Sequence, residues 1–125
     1  MNKEKFSIKK RLKSFVFAFN GLIYTLKYEH NARIHLFAAI CVITAGFLFK
    51  ISAMEWIAVV FACGLVLVSE IINSAIEQIA DVVSPQLNEK IKIGKDLAAA
   101  AVLIAAFIAV IIGIIIFAPY IIKIL

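Results

Sequence analysis

Between Ser69 and Asp81 the chain reads SEIINSAIEQIAD, which sets Glu70, Asn73, Glu77 and Asp81 at helical spacing within a long apolar run. At about 100° per residue these four side chains fall inside an arc of about 80°, so they share one face. A charged side chain at the centre of a membrane helix costs roughly 2.5–3.5 kcal/mol even on lenient scales. The face must therefore look into protein or a polar cavity. Glu29 with Arg33, and Lys95 with Asp96, bring further charge to the starts of two other apolar segments. Two or more carboxylates beside an Asn and a Lys suit the binding of Mg²⁺ and a polyphosphate. A further carboxylate, drawn out of water at the boundary, suits a general base acting on a hydroxyl. Cross-helix pairing with Lys or Arg would explain a single acid, but it explains four polar residues on one face less well.

The elements that must carry these groups follow from hydropathy. Hydrophobic residues make up 64% of the 125, and the mean hydropathy is +1.04, far above a soluble domain. The apolar residues gather in three blocks, 34–49, 56–80 and 97–122. A span needs about 20 residues. The reading is an all-α membrane protein, one domain over 1–125, with spans at 30–50, 55–83 and 90–122. The second span extends into the cytoplasm at its end, and the third begins there. Before them, 6–27 places Ile8, Leu12, Phe15, Val16, Phe19, Leu22, Ile23 and Leu26 on one side of a helix. Lys9, Lys13 and Lys27 fall off that stripe, as in a helix lying in the cytoplasmic interface or docked on the bundle.

Charge sets the expected orientation. Lys3, Lys5, Lys9, Lys10, Arg11, Lys13, Lys27 and Arg33 precede the first span, and Lys90, Lys92 and Lys95 lie between the second and third. The N-terminus and that loop are thus expected in the cytoplasm and the C-terminus outside. The net charge of +5 is then a topology signal and an attraction to anionic lipid, not a nucleic-acid footprint. The first thirty residues lack the pattern of a cleavable signal peptide. Cys41 and Cys63 have no zinc-ligand spacing and read as packing residues, while Tyr24, Tyr28 and Trp56 read as interface aromatics and His35 as a hydrogen-bonded interfacial residue. With Trp56 at the outer boundary, Glu70 lies about 21 Å below it and Glu77 about 31 Å. That depth is the cytoplasmic edge of a core about 30 Å thick, where a water-soluble and a membrane-soluble reactant can meet. The chain has no GxxxxGK[ST] and no protein-kinase signature, so a nucleotide would be held by metal, side chains and loop backbone.

EIINSAIEQIAD, GKDLAAAAVL after it and EHNARIH before it together resemble the prokaryotic diacylglycerol kinase family, which includes the undecaprenol kinases. The resemblance covers nearly the whole chain. It implies a homotrimeric bundle in the bacterial cytoplasmic membrane, each subunit with an amphipathic surface helix and three spans. It also implies transfer of the γ-phosphoryl group of ATP, with Mg²⁺, to a membrane lipid alcohol, either undecaprenol or diacylglycerol. Carried over by position, Glu70 resembles the general base, and Glu29 and Glu77 resemble the ligands for ions bridging the ATP phosphates. Asn73 would orient the base or a metal-bound water, Lys95 would neutralise phosphate oxygens, and Asp96 would order the nucleotide. Gln86, Leu87 and Asn88 match a nucleotide-contacting stretch. Lys10 stands where an arginine contacting nucleotide and lipid is expected, and Phe17 where a tyrosine would cover the adenine. Ala98 and Ala99 resemble the undecaprenol branch, since the diacylglycerol branch usually has Gly-Ser there. Two readings of other classes compete with the kinase: a small oligomeric cation transporter or channel, and a structural membrane protein with a buried ion-pair network.

Overall fold

The structure, a computed structural model, describes residues 5–86 and 88–125. Leu87, assigned above to nucleotide contact, lies outside the described residues. The described residues form four helices, α1 (Ile8–Tyr28), α2 (His30–Phe49), α3 (Ala53–Val83) and α4 (Glu89–Ile124). The last three are each long and apolar enough to cross a membrane. The fold is therefore all-α, with one helix ahead of three candidate spans.

Each boundary has a local cause. Ser7 opens α1 by accepting from the Lys10 N–H at 3.4 Å. Glu29 alone separates α1 from α2, in an extended conformation (φ −104°, ψ 111°) that breaks the helical run without Gly or Pro. Lys50, at φ 53° and ψ 55°, closes α2 in the left-handed region. There the Ile51 N–H returns to the Gly46 carbonyl and the Lys50 N–H to that of Phe47, the hydrogen-bond pattern of a Schellman motif. Ser52 and Glu55 then form a reciprocal capping box at the start of α3. Asn88 caps α4, its Oδ1 accepting from the N–H groups of Lys90 (3.0 Å) and Ile91 (3.3 Å). Helix α4 runs on through Pro119, whose missing N–H falls close to the helix end.

Packing is organised around α3, which lies mainly on α4 and also contacts α2. The buried residues of α3 include Val59, Ala62, Val66, Glu70, Asn73 and Ala80, spaced by threes, fours and one seven. This is the apolar stripe of a packed helix. The polar site is a continuation of that stripe toward the C-terminal end of α3, not a separate feature. On α4 the matching seam is built of small and branched residues, with Ala98, Val102 and Ala109 half-buried and Ala105 and Ile116 buried. Small side chains let two backbones approach closely in a membrane, where contact rather than water drives association.

At the opposite end Ile51, Val59, Ile116 and Phe117 form a buried cluster against which Phe49, Trp56 and Tyr120 pack. Trp56, read above as an interface aromatic, sits over Gly46 and stacks tilted on Phe47 with ring centroids 4.8 Å apart. Helix α1 contacts α2 and α3 only lightly, and Thr25 is its one buried residue among those described. Its apolar stripe therefore stays exposed and is not docked on the bundle of the single chain.

Candidate active site

Glu70 is the centre of the polar end of the bundle and is 2% exposed. It is held there because it occupies the α3 packing seam one helical turn beyond Val66. Its Oε2 stands 3.7 Å from His35 Nε2 on α2, an ion-pair separation rather than a formed hydrogen bond. The charges of Glu29 and Glu77 also bear on it. Asn73, one turn further along α3, is buried and donates from Nδ2 to Glu77 Oε1 at 3.4 Å. Among the described residues its Oδ1 and the Ser74 hydroxyl are buried with no hydrogen-bond partner. Buried polar atoms are rarely left unpaired in folded proteins, so these two are groups with capacity for a ligand or water.

From Glu70 to Asp81 the face grades outward. Glu70 and Asn73 are buried, Glu77 is half-buried and Asp81 is exposed. Glu29, at the corner between α1 and α2, is half-buried as well. The structure thus brings Glu70, Asn73, Glu77, Glu29 and His35 into one neighbourhood built by α3, α2 and the corner before α2.

A second group lies beyond it, at the turn between α3 and α4. A cleft of about 270 Å³ there is lined by Asp81, Ser84, Gln86, Asn88, Lys92, Lys95 and Asp96, with Pro85 and Ile91. Lys95 Nζ donates to Asp81 Oδ1 at 3.1 Å, tying α4 to α3. Lys92 does the same to Asp96 Oδ2 at 2.7 Å along α4. Asn88 has its Oδ1 committed to capping, and the Gln86 carbonyl accepts from the Ser84 hydroxyl at 2.7 Å. A second cleft, about 290 Å³, is lined among the described residues by Lys10, Arg11, Lys13, Ser14 and Phe17 of α1.

Whether the residues fit Mg²⁺ can be judged from the donors. Among the described residues no group of three or more His, Cys, Asp or Glu side chains makes a cage for a metal ion. Mg²⁺ seldom needs one; it is usually held by one or two carboxylates plus substrate phosphates and retains several waters. Glu29 and Glu77, half-buried beside Glu70, fit that pattern.

The sequence reading missed two partners. The hydrogen bond from Tyr120 to Glu55 joins the other ends of α3 and α4. His35 had a usable signal: it falls at helical spacing with Ala32, Ala39 and Val42, which are among the buried or half-buried positions of α2.

A three-span helical protein with a carboxylate-rich site at one end of the bundle has the construction of a membrane-embedded enzyme acting at a lipid–water boundary. Residues 16–117 match the family model described as prokaryotic diacylglycerol kinase. The chain is 38% identical over 107 residues to an undecaprenol kinase of Bacillus subtilis (strain 168), covering 86% of this chain and 87% of that one. It is 40% identical over 103 residues to a diacylglycerol kinase of Synechocystis sp. PCC 6803, covering 82% of this chain and 59% of that enzyme. A diacylglycerol kinase of Helicobacter pylori 26695 is 34% identical over 107 residues, covering 79% and 83%. The chain belongs to the prokaryotic diacylglycerol kinase family and is a lipid kinase. This removes the transporter and structural readings.

Proposed function

We propose that this lipid kinase transfers the γ-phosphoryl group of MgATP to the hydroxyl of undecaprenol, with diacylglycerol a poorer acceptor. The observation that carries the site assignment is the burial of Glu70, 2% exposed, at the polar end of a membrane bundle. Such a carboxylate can take a proton from an alcohol whose chain lies in the membrane. Glu70 accepts the hydroxyl proton, the oxygen lone pair forms the new bond to phosphorus, and the bond to ADP breaks. Asn73, hydrogen-bonded to Glu77, would orient a metal-bound water. Lys95 exchanges Asp81 for phosphate oxygens, and Asp96, with Gln86 and Asn88 along the same cleft, orders the nucleotide. Glu29 and Glu77 would hold the Mg²⁺, which when bound would neutralise charge on the phosphates.

The working unit is a homotrimer in the bacterial cytoplasmic membrane. Most of each span's surface is open in the single chain, leaving faces for lipid and for neighbouring copies. Among the described residues the Lys10 and Phe17 cleft is lined by α1, and adjoining subunits supply further parts of the nucleotide's surroundings. The Glu70 end faces the cytoplasm, because α1 and the first turns of α4 carry most of the lysines; the C-terminus lies outside. Helix α1 rests its exposed apolar stripe in the interface. The test is label transfer from γ-labelled ATP into a panel of lipid alcohols in one bilayer. Labelling that requires Mg²⁺ and favours undecaprenol is expected; labelling confined to diacylglycerol overturns the acceptor.

A further inference from the structure

His35 is a polar residue of α2 that the assignment above leaves without a task. It lies on the stripe by which α2 packs, between Ala32 and Ala39, and it borders an apolar cleft of about 230 Å³ with Ala38, Val42, Cys63 and Val66. Among the described residues no other cationic side chain stands at ion-pair distance from Glu70. Among the described residues Asn73 makes no hydrogen bond to Glu70; its Nδ2 donates to Glu77 instead. Glu29 and Glu77 meanwhile repel the Glu70 carboxylate. A buried carboxylate is costly to leave without an opposing partner.

We propose that His35 is a positioning residue for phosphoryl transfer: its Nε2–H holds Glu70 Oε2 and so presents Oε1 to the acceptor hydroxyl. This rests on the reading of Glu70 as the base. The separation of 3.7 Å exceeds a hydrogen bond, as catalytic contacts often do before substrate binds and tightens them. Positioning requires only a proton on Nε2, which both the imidazolium and one neutral tautomer carry. His35 therefore need not change protonation during turnover. The proton taken from the alcohol stays on Glu70 until product leaves.

The experiment compares the full chain with His35→Leu, His35→Gln, Glu70→Gln and the double variant His35→Leu/Glu70→Gln, in mixed micelles containing undecaprenol. His35→Leu is expected to lower kcat about 10–100-fold, as misplacing a catalytic group does, with the KM for MgATP held within about twofold. His35→Gln, whose amide N–H reaches toward the same point, is expected to recover most of that loss. In the Glu70→Gln background the His35→Leu change should add less than about a further twofold, because the group it positions is gone. An equal loss in both backgrounds means that His35 acts independently of Glu70 and overturns the proposal. Wild-type kcat in His35→Leu overturns it too. Should His35→Leu fail to assemble, His35→Gln against His35→Asn decides, since the shorter amide cannot reach; equal kcat values again overturn it. Near-normal turnover in Glu70→Gln is a different result, defeating the base assignment itself.

Discussion

Tyr120 donates its phenolic hydrogen to Glu55 Oε1 at 2.6 Å, across 65 positions of sequence, and joins the last turns of α4 to the first turn of α3. The same carboxylate oxygen accepts the Ser52 N–H of the capping box at 3.0 Å. One side chain thus ends the loop, starts the helix and fastens it to its main packing partner. Tyr120→Phe should lower the thermal unfolding midpoint in micelles while leaving kcat per folded protein unchanged, because Glu55 and Glu70 lie about 22 Å apart along α3. A fall in kcat with unchanged stability would show that this bond serves the chemistry instead.

Gly46 makes a second, steric claim at the same end. A Cβ there would lie 2.6 Å from Trp56 Cη2 and 2.9 Å from Cζ2, closer than carbon atoms approach. Gly46→Ala should cost about 1–3 kcal/mol, as overpacking does, and should shift the emission of the chain's single tryptophan. Trp56→Phe, which removes those two ring atoms, should restore the stability of Gly46→Ala. A fully stable Gly46→Ala protein would mean that the indole moves aside at little cost.

How far the sequence disclosed all this depends on the kind of signal. The helical class and the three candidate spans follow from hydropathy, which reports local composition and needs no partner. The shared face of Glu70, Asn73 and Glu77 was legible for the same reason, since a helical period lies within one segment. What was hidden depends on register between segments. Neither EHNARIH nor SEIINS alone says that His35 stops beside Glu70, or that Lys95 reaches Asp81. The junction at Glu29 was legible from the change of pattern between 6–27 and 30–50, although Glu itself carries no breaker signature. Asn88 shows the reverse case: a cap residue before Glu89 is a recognisable helix start, but the match to a nucleotide-contacting stretch drew the eye away from it.

Glu70→Gln keeps the shape of the side chain and removes its basicity. It should fold, assemble and bind ATP, with phosphoryl transfer reduced about 10²–10⁴-fold, the usual loss of a general base. Nucleotide binding measured with a fluorescent ATP analogue separates this from a defect of assembly. Near-normal turnover would remove Glu70 from the role.

Glu77→Gln should fail in another way, because its carboxylate is assigned to the ion. The KM for MgATP should rise by about tenfold or more, given that even outer-shell changes cost metal sites about 10–100-fold. Raised Mg²⁺, or Mn²⁺ in its place, should recover part of the activity. Glu29→Gln should share this dependence, since both side chains serve one ion set. A pure kcat defect with unchanged metal dependence in either variant would break that division of labour.

On the proposed reading acceptor choice turns on the start of α4, where Ala98 is half-buried on the seam facing α3 and Ala99 is exposed. A serine hydroxyl there could hydrogen-bond the ester and glycerol oxygens of diacylglycerol, whereas methyl groups offer those oxygens nothing. A polyprenol has one terminal hydroxyl and a hydrocarbon chain, so an apolar wall suits it without loss. Sites that hydrogen-bond a substrate reject analogues strongly, while apolar walls discriminate by only about 1–3 kcal/mol per methylene-sized difference. Undecaprenol should therefore show the higher kcat/KM at equal mole fraction in one bilayer, with diacylglycerol slower but accepted. Ala98→Gly with Ala99→Ser should narrow the gap by raising kcat/KM for diacylglycerol more than it alters that for undecaprenol. If diacylglycerol is already preferred by the unaltered chain, the wall is not what selects, and the acceptor assignment reverses while the kinase chemistry at Glu70 is untouched.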